Sequence, residues 1–175
     1  MVSEAVFIAG RSGVGKTSVG FEIHARLSSA RIPHCVIDGD FLDMAYPPPW
    51  EHKLAERNLA AMWGNYRALG YRRIIYTNTV CALPEVIKQL TDAMGDDPKI
   101  IAILLMCSNT TARERLCRRE TGFTFNQHLE SSAKMAELLE SSTPGWVHRV
   151  PTDDRSVSAI AEEVIELSGW LPNAP

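Results

Sequence analysis

Short, nearly unbroken apolar runs alternate along this chain with longer segments whose apolar residues recur every three or four positions. Runs of the first kind predict strands covered on both faces, and the second spacing predicts helices with one buried stripe. Ala5–Ala9 predicts the first strand, and a helix follows over about Lys16–Ser28 with Val19, Ile23 and Leu27 at spacings of four. Gly20 weakens that helix relative to alanine, which close packing on a sheet would offset. Cys35–Ile37 predicts a second strand. A long helix is expected over about Glu51–Leu69, with Ala55, Leu59, Met62, Tyr66 and Leu69 buried and Gly70 as its stop. Ile74–Tyr76 reads as the third strand, and Pro84 opens a helix carrying Leu83, Val86, Ile87, Leu90 and Met94. Ile100–Met106 is the strongest strand pattern. Thr111-Ala112-Arg113-Glu114 has capping-box spacing and predicts the start of an arginine-bearing helix that stops near Gly122. A further helical stretch covers about Asn126–Ser141 and breaks at Pro144-Gly145. Trp146–Val150 predicts a fifth strand. Ser156 then caps a last helix that buries Val157, Ile160, Ala161, Val164 and Ile165, and Leu171–Pro175 is expected to fray.

Strand and helix alternate throughout, the pattern of a parallel sheet covered on both faces with ligands at the carboxyl ends of its strands. At 175 residues the chain is expected to form one domain, 1–175, with no repeat or linker. Composition is ordinary, 45% hydrophobic and 22% charged, and the net charge of −3 removes nucleic acid and anionic membranes as default partners. No apolar run is long enough to span a bilayer, and no signal-peptide pattern precedes the first strand. Cys35, Cys81, Cys107 and Cys117 lie far apart and read as reduced thiols, so a cytoplasmic location is expected.

Between the first strand and the first helix stands Gly10-Arg11-Ser12-Gly13-Val14-Gly15-Lys16-Thr17, a complete G-x-x-x-x-G-K-[ST] phosphate loop in strand–loop–helix context. Its glycines let backbone N–H groups converge on one concavity, and the helix beginning near Lys16 adds its positive end. Gly10, Arg11, Ser12, Gly13, Val14, Gly15, Lys16, Thr17 and Ser18 are the expected nucleotide-phosphate contacts. Lys16 would reach the β- and γ-phosphates, and the Thr17 hydroxyl would ligate Mg²⁺.

Asp38-Gly39-Asp40 closes the second strand. Carboxylates two apart project in similar directions if the backbone stays extended, but Asp-Gly-Asp is equally good chemistry for a solvated turn. Pro47-Pro48-Pro49 predicts a stiff extended loop beside this point, with Tyr46 and Trp50 either lining a pocket or packing at a rim. The third strand ends in Thr77-Asn78-Thr79. Asn78 can bind a water or a substrate hydroxyl but supplies no full negative charge. The five histidines form no cluster in the sequence, and none is expected to bind metal.

The phosphate loop, the Asp-Gly-Asp, the arginine-rich helix and the final loop–helix, in this order, resemble the small P-loop kinases. That group includes the adenylate, shikimate, gluconate and adenylylsulfate kinases. The likeness spans essentially the whole chain, though only the phosphate loop is highly specific. The resemblance implies a P-loop NTPase three-layer sandwich, its five-stranded parallel sheet in order 2-3-1-4-5, with a short lid at about 118–127. It also implies roles. Asp40 would contact an acceptor hydroxyl and take its proton, and Asp38 would orient Mg²⁺ or share the base role. Arg115 would stack on adenine, Arg119 or Arg118 would touch phosphates, and Thr152 and Asp153 belong to the loop covering adenine. Arg57 and Asn58, within Glu56-Arg57-Asn58, match a substrate-lining stretch and, with Asn78, are candidate acceptor contacts. A solvated helix face remains an equally good reading of 56–58, and a solvated basic helix with Glu114 and Glu120 as partners is the lesser alternative for 113–119.

The expectation is ATP-dependent phosphoryl transfer to a hydroxyl of a small molecule, with Mg²⁺, by a monomer or homodimer. The stretch Gln127–Ser141 contains no arginine, which favours a neutral or weakly charged acceptor. Arg57, Arg72 and Arg73 would serve an anionic one, as in a nucleotide or adenylylsulfate kinase. A nucleotide-dependent switch or ATPase without a small acceptor is the remaining alternative, motivated by Asn78 where many P-loop proteins carry an acid.

Overall fold

In the computed structural model, residues 2–119 and 125–171 are described. The strands are β1 (Glu4–Ala9), β2 (Cys35–Asp38), β3 (Arg73–Thr77), β4 (Lys99–Met106) and β5 (His148–Pro151). The helices are α1 (Lys16–Ser29), α2 (Leu54–Ala68), α3 (Pro84–Met94), α4 (Asn109–Arg119), α5 (Phe125–Ser142) and α6 (Val157–Ser168). The strands form one parallel sheet in the order β2-β3-β1-β4-β5. This is the three-layer P-loop arrangement, with the strand order, that the resemblance to the small P-loop kinases implied.

The period-two alternation of a strand divides β1 between two cores. Ala5, Phe7 and Ala9 pack toward α2, α3 and α5. Val6 and Ile8 pack toward α1 and α6. Each such fully buried Ile or Phe contributes roughly 1.5–3 kcal/mol relative to an exposed one. Gly20 lets the helix sit close on the sheet: a Cβ there would stand 3.0 Å from Thr77 Cγ2 and would push that side chain aside by a few tenths of an ångström.

Four elements differ in detail from expectation; in α6, Val157 at the first turn is exposed while Ile160, Ala161, Val164 and Ile165 are buried as expected. Regular helix α2 begins at Leu54, after a short 3-10 turn at Trp50–His52. Its buried residues are Leu59 and Trp63, whereas Met62 and Leu69 are exposed. Trp63 brings more apolar area than Met62, and its indole N–H reaches Asp96 at 3.2 Å, where Arg67 also pairs at 3.2 Å. Helix α4 begins two residues early because Ser108, not Thr111, caps it: the Thr111 N–H donates to Ser108 Oγ at 3.1 Å. Strand β5 spans His148–Pro151 and leaves Trp146 56% exposed. By contrast Pro84 does open α3, and Ser156 does cap α6 by accepting from the Ala159 N–H at 3.1 Å.

No helix among the described residues is long and apolar enough to cross a membrane. The expected fraying at the carboxyl terminus falls on 172–175, outside the described residues.

Candidate active site

At the carboxyl end of the sheet, β1 lies between β3 and β4, where the chain's winding reverses. Open parallel sheets bind ligands at such a point. The ladder continues past the strand ends: the Asn78 N–H donates to Ile8 O and the Gly10 N–H to Thr79 O, both at 3.2 Å. These two bonds fix the phosphate loop against the segment after β3. Gly10 has φ +143°, and a Cβ there would meet Leu105 O at 2.7 Å, so no other residue fits. Val14 is buried and anchors the loop in the α1–α6 core. Helix α1 starts at Lys16, and its first free N–H groups face the loop. The Lys16 ammonium donates to Gly10 O at 2.9 Å and to Arg11 O at 3.4 Å.

The acidic pair is brought to this cradle, but not by an extended backbone. Gly39–Phe41 is a 3-10 turn, capped by Asp38, which accepts from the Asp40 N–H at 3.1 Å. Gly39 permits the turn to close on the sheet, since a Cβ would stand 2.2 Å from Tyr76 Oη. Asp38 and Asp40 both line a cavity of about 240 Å³ with Ser12, Gly13, Gly15, Lys16, Thr17 and Ser18. Thr17 Oγ1 donates to Asp38 Oδ2 at 3.1 Å. The Asp40 carboxylate accepts from Asn78 Nδ2 at 2.9 Å. Partial burial raises the Asp40 pKa above the ordinary carboxylate value. Lys16 opposes that shift, Asp38 adds to it, and the Thr79 N–H and the Asn78 amide oppose it.

A second cavity of about 240 Å³ adjoins the first. Ser12 and Leu116 line both, and Thr79, His128, Ser131, Ser132 and Met135 complete the second. The α5 members were not predicted as site residues. Their signal was present, however: His128, Ser131, Ser132 and Met135 fall at the three-to-four spacing of one helix face.

The expected adenine partner, Arg115, ties two loops together. It donates to Val14 O at 3.0 Å, to Thr152 Oγ1 at 3.0 Å and to Thr152 O at 2.9 Å. Thr152 is fully buried. Asp153 accepts from the Ser108 N–H at 3.1 Å, from Ser108 Oγ at 2.9 Å and from Thr111 Oγ1 at 2.5 Å, joining the loop after β5 to the start of α4. The Thr111 hydroxyl bond, helped by the Ser108 donors and Arg115, lowers its pKa against the opposing effect of burial.

Other candidates lie elsewhere. The Arg11 side chain turns out of the cradle and is buried against Ser132 and Asn109. Asn58 donates to Leu42 O at 2.6 Å and so holds the segment after Asp40, while Arg57 is exposed on α2. Neither Arg57 nor Asn58 is among the residues lining the two cavities. Tyr46 and Trp50 are exposed and line neither cavity. Arg73 opens β3, with Thr77 at the site end, about 13 Å away along a strand. There it pairs with Glu4 at 3.0 Å, so with Arg72 it is at the wrong edge of the sheet to hold an acceptor. Arg118 is exposed on α4. The Arg119 side chain and half of the expected lid, 120–124, lie outside the described residues. Among the described residues no three His, Cys, Asp or Glu side chains form a metal-binding group.

No protein-family model matches the chain. No curated protein matches it either. Solved structures do. The APS kinase of Mycobacterium tuberculosis, in complex with AMPPNP and APS, superposes with a TM-score of 0.60 at 20% identity, over 95% of this chain and 97% of that one. A gluconokinase from Sinorhizobium meliloti gives 0.61 at 21% identity, covering 96% and 93%. The Deinococcus radiodurans tunicamycin resistance protein gives 0.68 at 18% identity, covering 99% of each. The fold is therefore that of the P-loop kinases.

Proposed function

We propose that this protein transfers the γ-phosphoryl group of ATP to a hydroxyl of a small molecule. The observation that carries this reading is the position of Asp40. Its carboxylate lines the nucleotide-side cavity with Lys16, and it accepts at 2.9 Å from the side chain of Asn78, the neighbour of Thr79, which lines the second cavity. One acid thus stands in the phosphate cradle, bonded to a segment that also borders the adjoining, acceptor-sized cavity.

The γ-phosphate would lie on the loop N–H groups and the α1 amino end. Lys16 exchanges its two carbonyl partners for phosphate oxygens and balances charge that grows during transfer. Asp40 aligns the acceptor hydroxyl and takes its proton as the oxygen attacks the γ-phosphorus. Asn78 holds that carboxylate in place. The residues present suit Mg²⁺. Thr17 Oγ1 and Asp38 Oδ2 are hard oxygen donors already in contact. They would hold the ion beside the phosphates, where it supplies charge neutralisation. Arg115 is bonded along its edge by Val14 and Thr152. That leaves the guanidinium plane for stacking on adenine. Asp153 keeps the adenine-side loop in place, and Arg118 or Arg119 would close on the phosphates.

The acceptor would be neutral or weakly charged. Among the described residues the second cavity is lined by hydroxyls, His128 and two apolar side chains, with no arginine or lysine. The test is a panel of uncharged and anionic hydroxyl compounds assayed for ADP formation with MgATP. Product is expected with an uncharged member. Asp40→Asn should lower turnover by about 10²–10⁴-fold while MgADP still binds. Undiminished transfer by Asp40→Asn would remove the assigned base.

A further inference from the structure

The Arg11 side chain is out of place for a phosphate contact. It is 3% exposed, donates from Nε to Ser132 Oγ at 2.9 Å, and donates from Nη1 to Asn109 Oδ1. Both acceptors are neutral, and Arg11 has no carboxylate partner among the described residues. Burying a cation against neutral oxygens is a poor device for stability alone. It is a good one for holding a backbone segment to a helix. The Ser132 hydroxyl is used twice, since it also donates to Ser12 O at 3.0 Å. One side chain of α5 therefore grips two successive residues of the phosphate loop. The Arg11 carbonyl, in turn, is one of the two that take up the Lys16 ammonium. A cavity of about 50 Å³ bordered by Arg11, Cys107, Ala136 and Leu139 gives the guanidinium room to follow a shift of α5.

We infer that Ser132 and Arg11 form a clamp that couples the phosphate loop to α5, so that filling the nucleotide cradle orders α5 and the wall of the second cavity. Ser132 is a positioning residue in this scheme: it borders the second cavity, and it acts on the nucleotide only through Ser12 and Arg11. When Lys16 leaves the Arg11 carbonyl for a phosphate, the loop backbone shifts, and the clamp passes that shift to the helix carrying His128, Ser131 and Met135. The inference rests on the nucleotide half of the proposed function and makes no use of the acceptor.

Hydrogen exchange of α5 amides, measured with and without saturating MgAMPPNP, tests it. Calorimetry on the same samples establishes binding. In the unaltered protein the nucleotide should slow α5 exchange by about tenfold, within the usual span of coupling between sites. In Ser132→Ala the nucleotide-dependent change should fall below about twofold, and Ser132→Thr, which keeps the hydroxyl, should restore it. Arg11→Met breaks the clamp from its other side and should behave as Ser132→Ala does, with a melting curve confirming that each variant is folded. Equal protection in the unaltered protein and Ser132→Ala, with MgAMPPNP bound to both, overturns the clamp and leaves the proposed function standing. Binding without any α5 protection in the unaltered protein does the same. Absence of MgAMPPNP binding overturns both.

Discussion

The two ends of the cleft are built differently, and two aspartates show how. At the adenine end, Asp153 is saturated by donors from Ser108 and Thr111, and its pKa is lowered. At the acceptor end, partial burial and Asp38 raise the pKa of Asp40 despite Lys16, Thr79 and Asn78. Asp153 is a latch whose charge its hydrogen bonds stabilise, and Asp40, proposed as the base, is a carboxylate whose charge its surroundings disfavour. The surroundings follow the same division. Val14 and Thr152 are buried beside the Arg115 strut, whereas Phe41, Met44 and Tyr46, just after Asp40, are all more than half exposed. Phosphate recognition can be assembled in advance from backbone amides and buried hydrogen bonds. The Asp40 side of the phosphate cavity is instead bordered by Phe41 and Met44, large side chains left mostly exposed.

The largest expected effect that sharpens this contrast is at Lys16. Lys16→Ala should lower phosphoryl transfer by about 10²–10³-fold, measured as ADP release under saturating MgATP. Retained activity would break the assignment of that end to phosphates. Next is the pH profile. Turnover should rise about tenfold per unit as Asp40 ionises, with a midpoint above the ordinary carboxylate value because its pKa is raised. The linkage has the matching sign. A raised pKa means that the folded state holds its proton longer, so this group's contribution to stability falls as pH rises from the unfolded value through the folded one. A rate midpoint at or below the ordinary value would contradict that placement.

Gly39→Ala tests whether the acidic turn depends on Tyr76. A Cβ 2.2 Å from the phenol oxygen should cost about 1–3 kcal/mol, read from denaturant melts. An unchanged midpoint would show that the turn can move freely. The smallest effect is at the latch. Asp153→Ala should cost at most about 1 kcal/mol at neutral pH, because solvent reaches the carboxylate. Here the sign is reversed. With the folded pKa lowered, the stabilisation is present above the ordinary carboxylate value and is lost as pH falls through the folded one. The gap between Asp153→Ala and the unaltered protein should close in acid. A constant gap across that range would mean that packing, not charge, holds the loop.

Much of the site was legible because phosphate binding constrains backbone. Gly13, Gly15, Lys16, Thr17 and the two carboxylates of the Asp-Gly-Asp announce themselves by type and spacing, and the structure sets them around one cavity. The acceptor side was not legible in the same way. Glu56-Arg57-Asn58 looked like a lining motif, yet Asn58 faces Leu42 and Arg57 lines neither cavity. Arg72 and Arg73 looked available, yet they lie at the start of β3, at the end of the strand far from the site. Serines of α5 carry no chemistry that marks them until packing gives them neighbours.

The sequence by itself determined the alternation of elements, the sheet that this alternation implies, and the loop whose glycines and lysine suit a phosphate. These depend on local periodicity and on conformations that few residue types can adopt. Only the tertiary structure decided that Arg11 leaves the cradle for Ser132, that Thr111 cedes the helix cap to Ser108, and that Asn78 holds Asp40 in the phosphate cavity. Each of those outcomes depends on partners about 40 to 120 residues away or on a competition between neighbouring caps, which spacing along a chain does not encode.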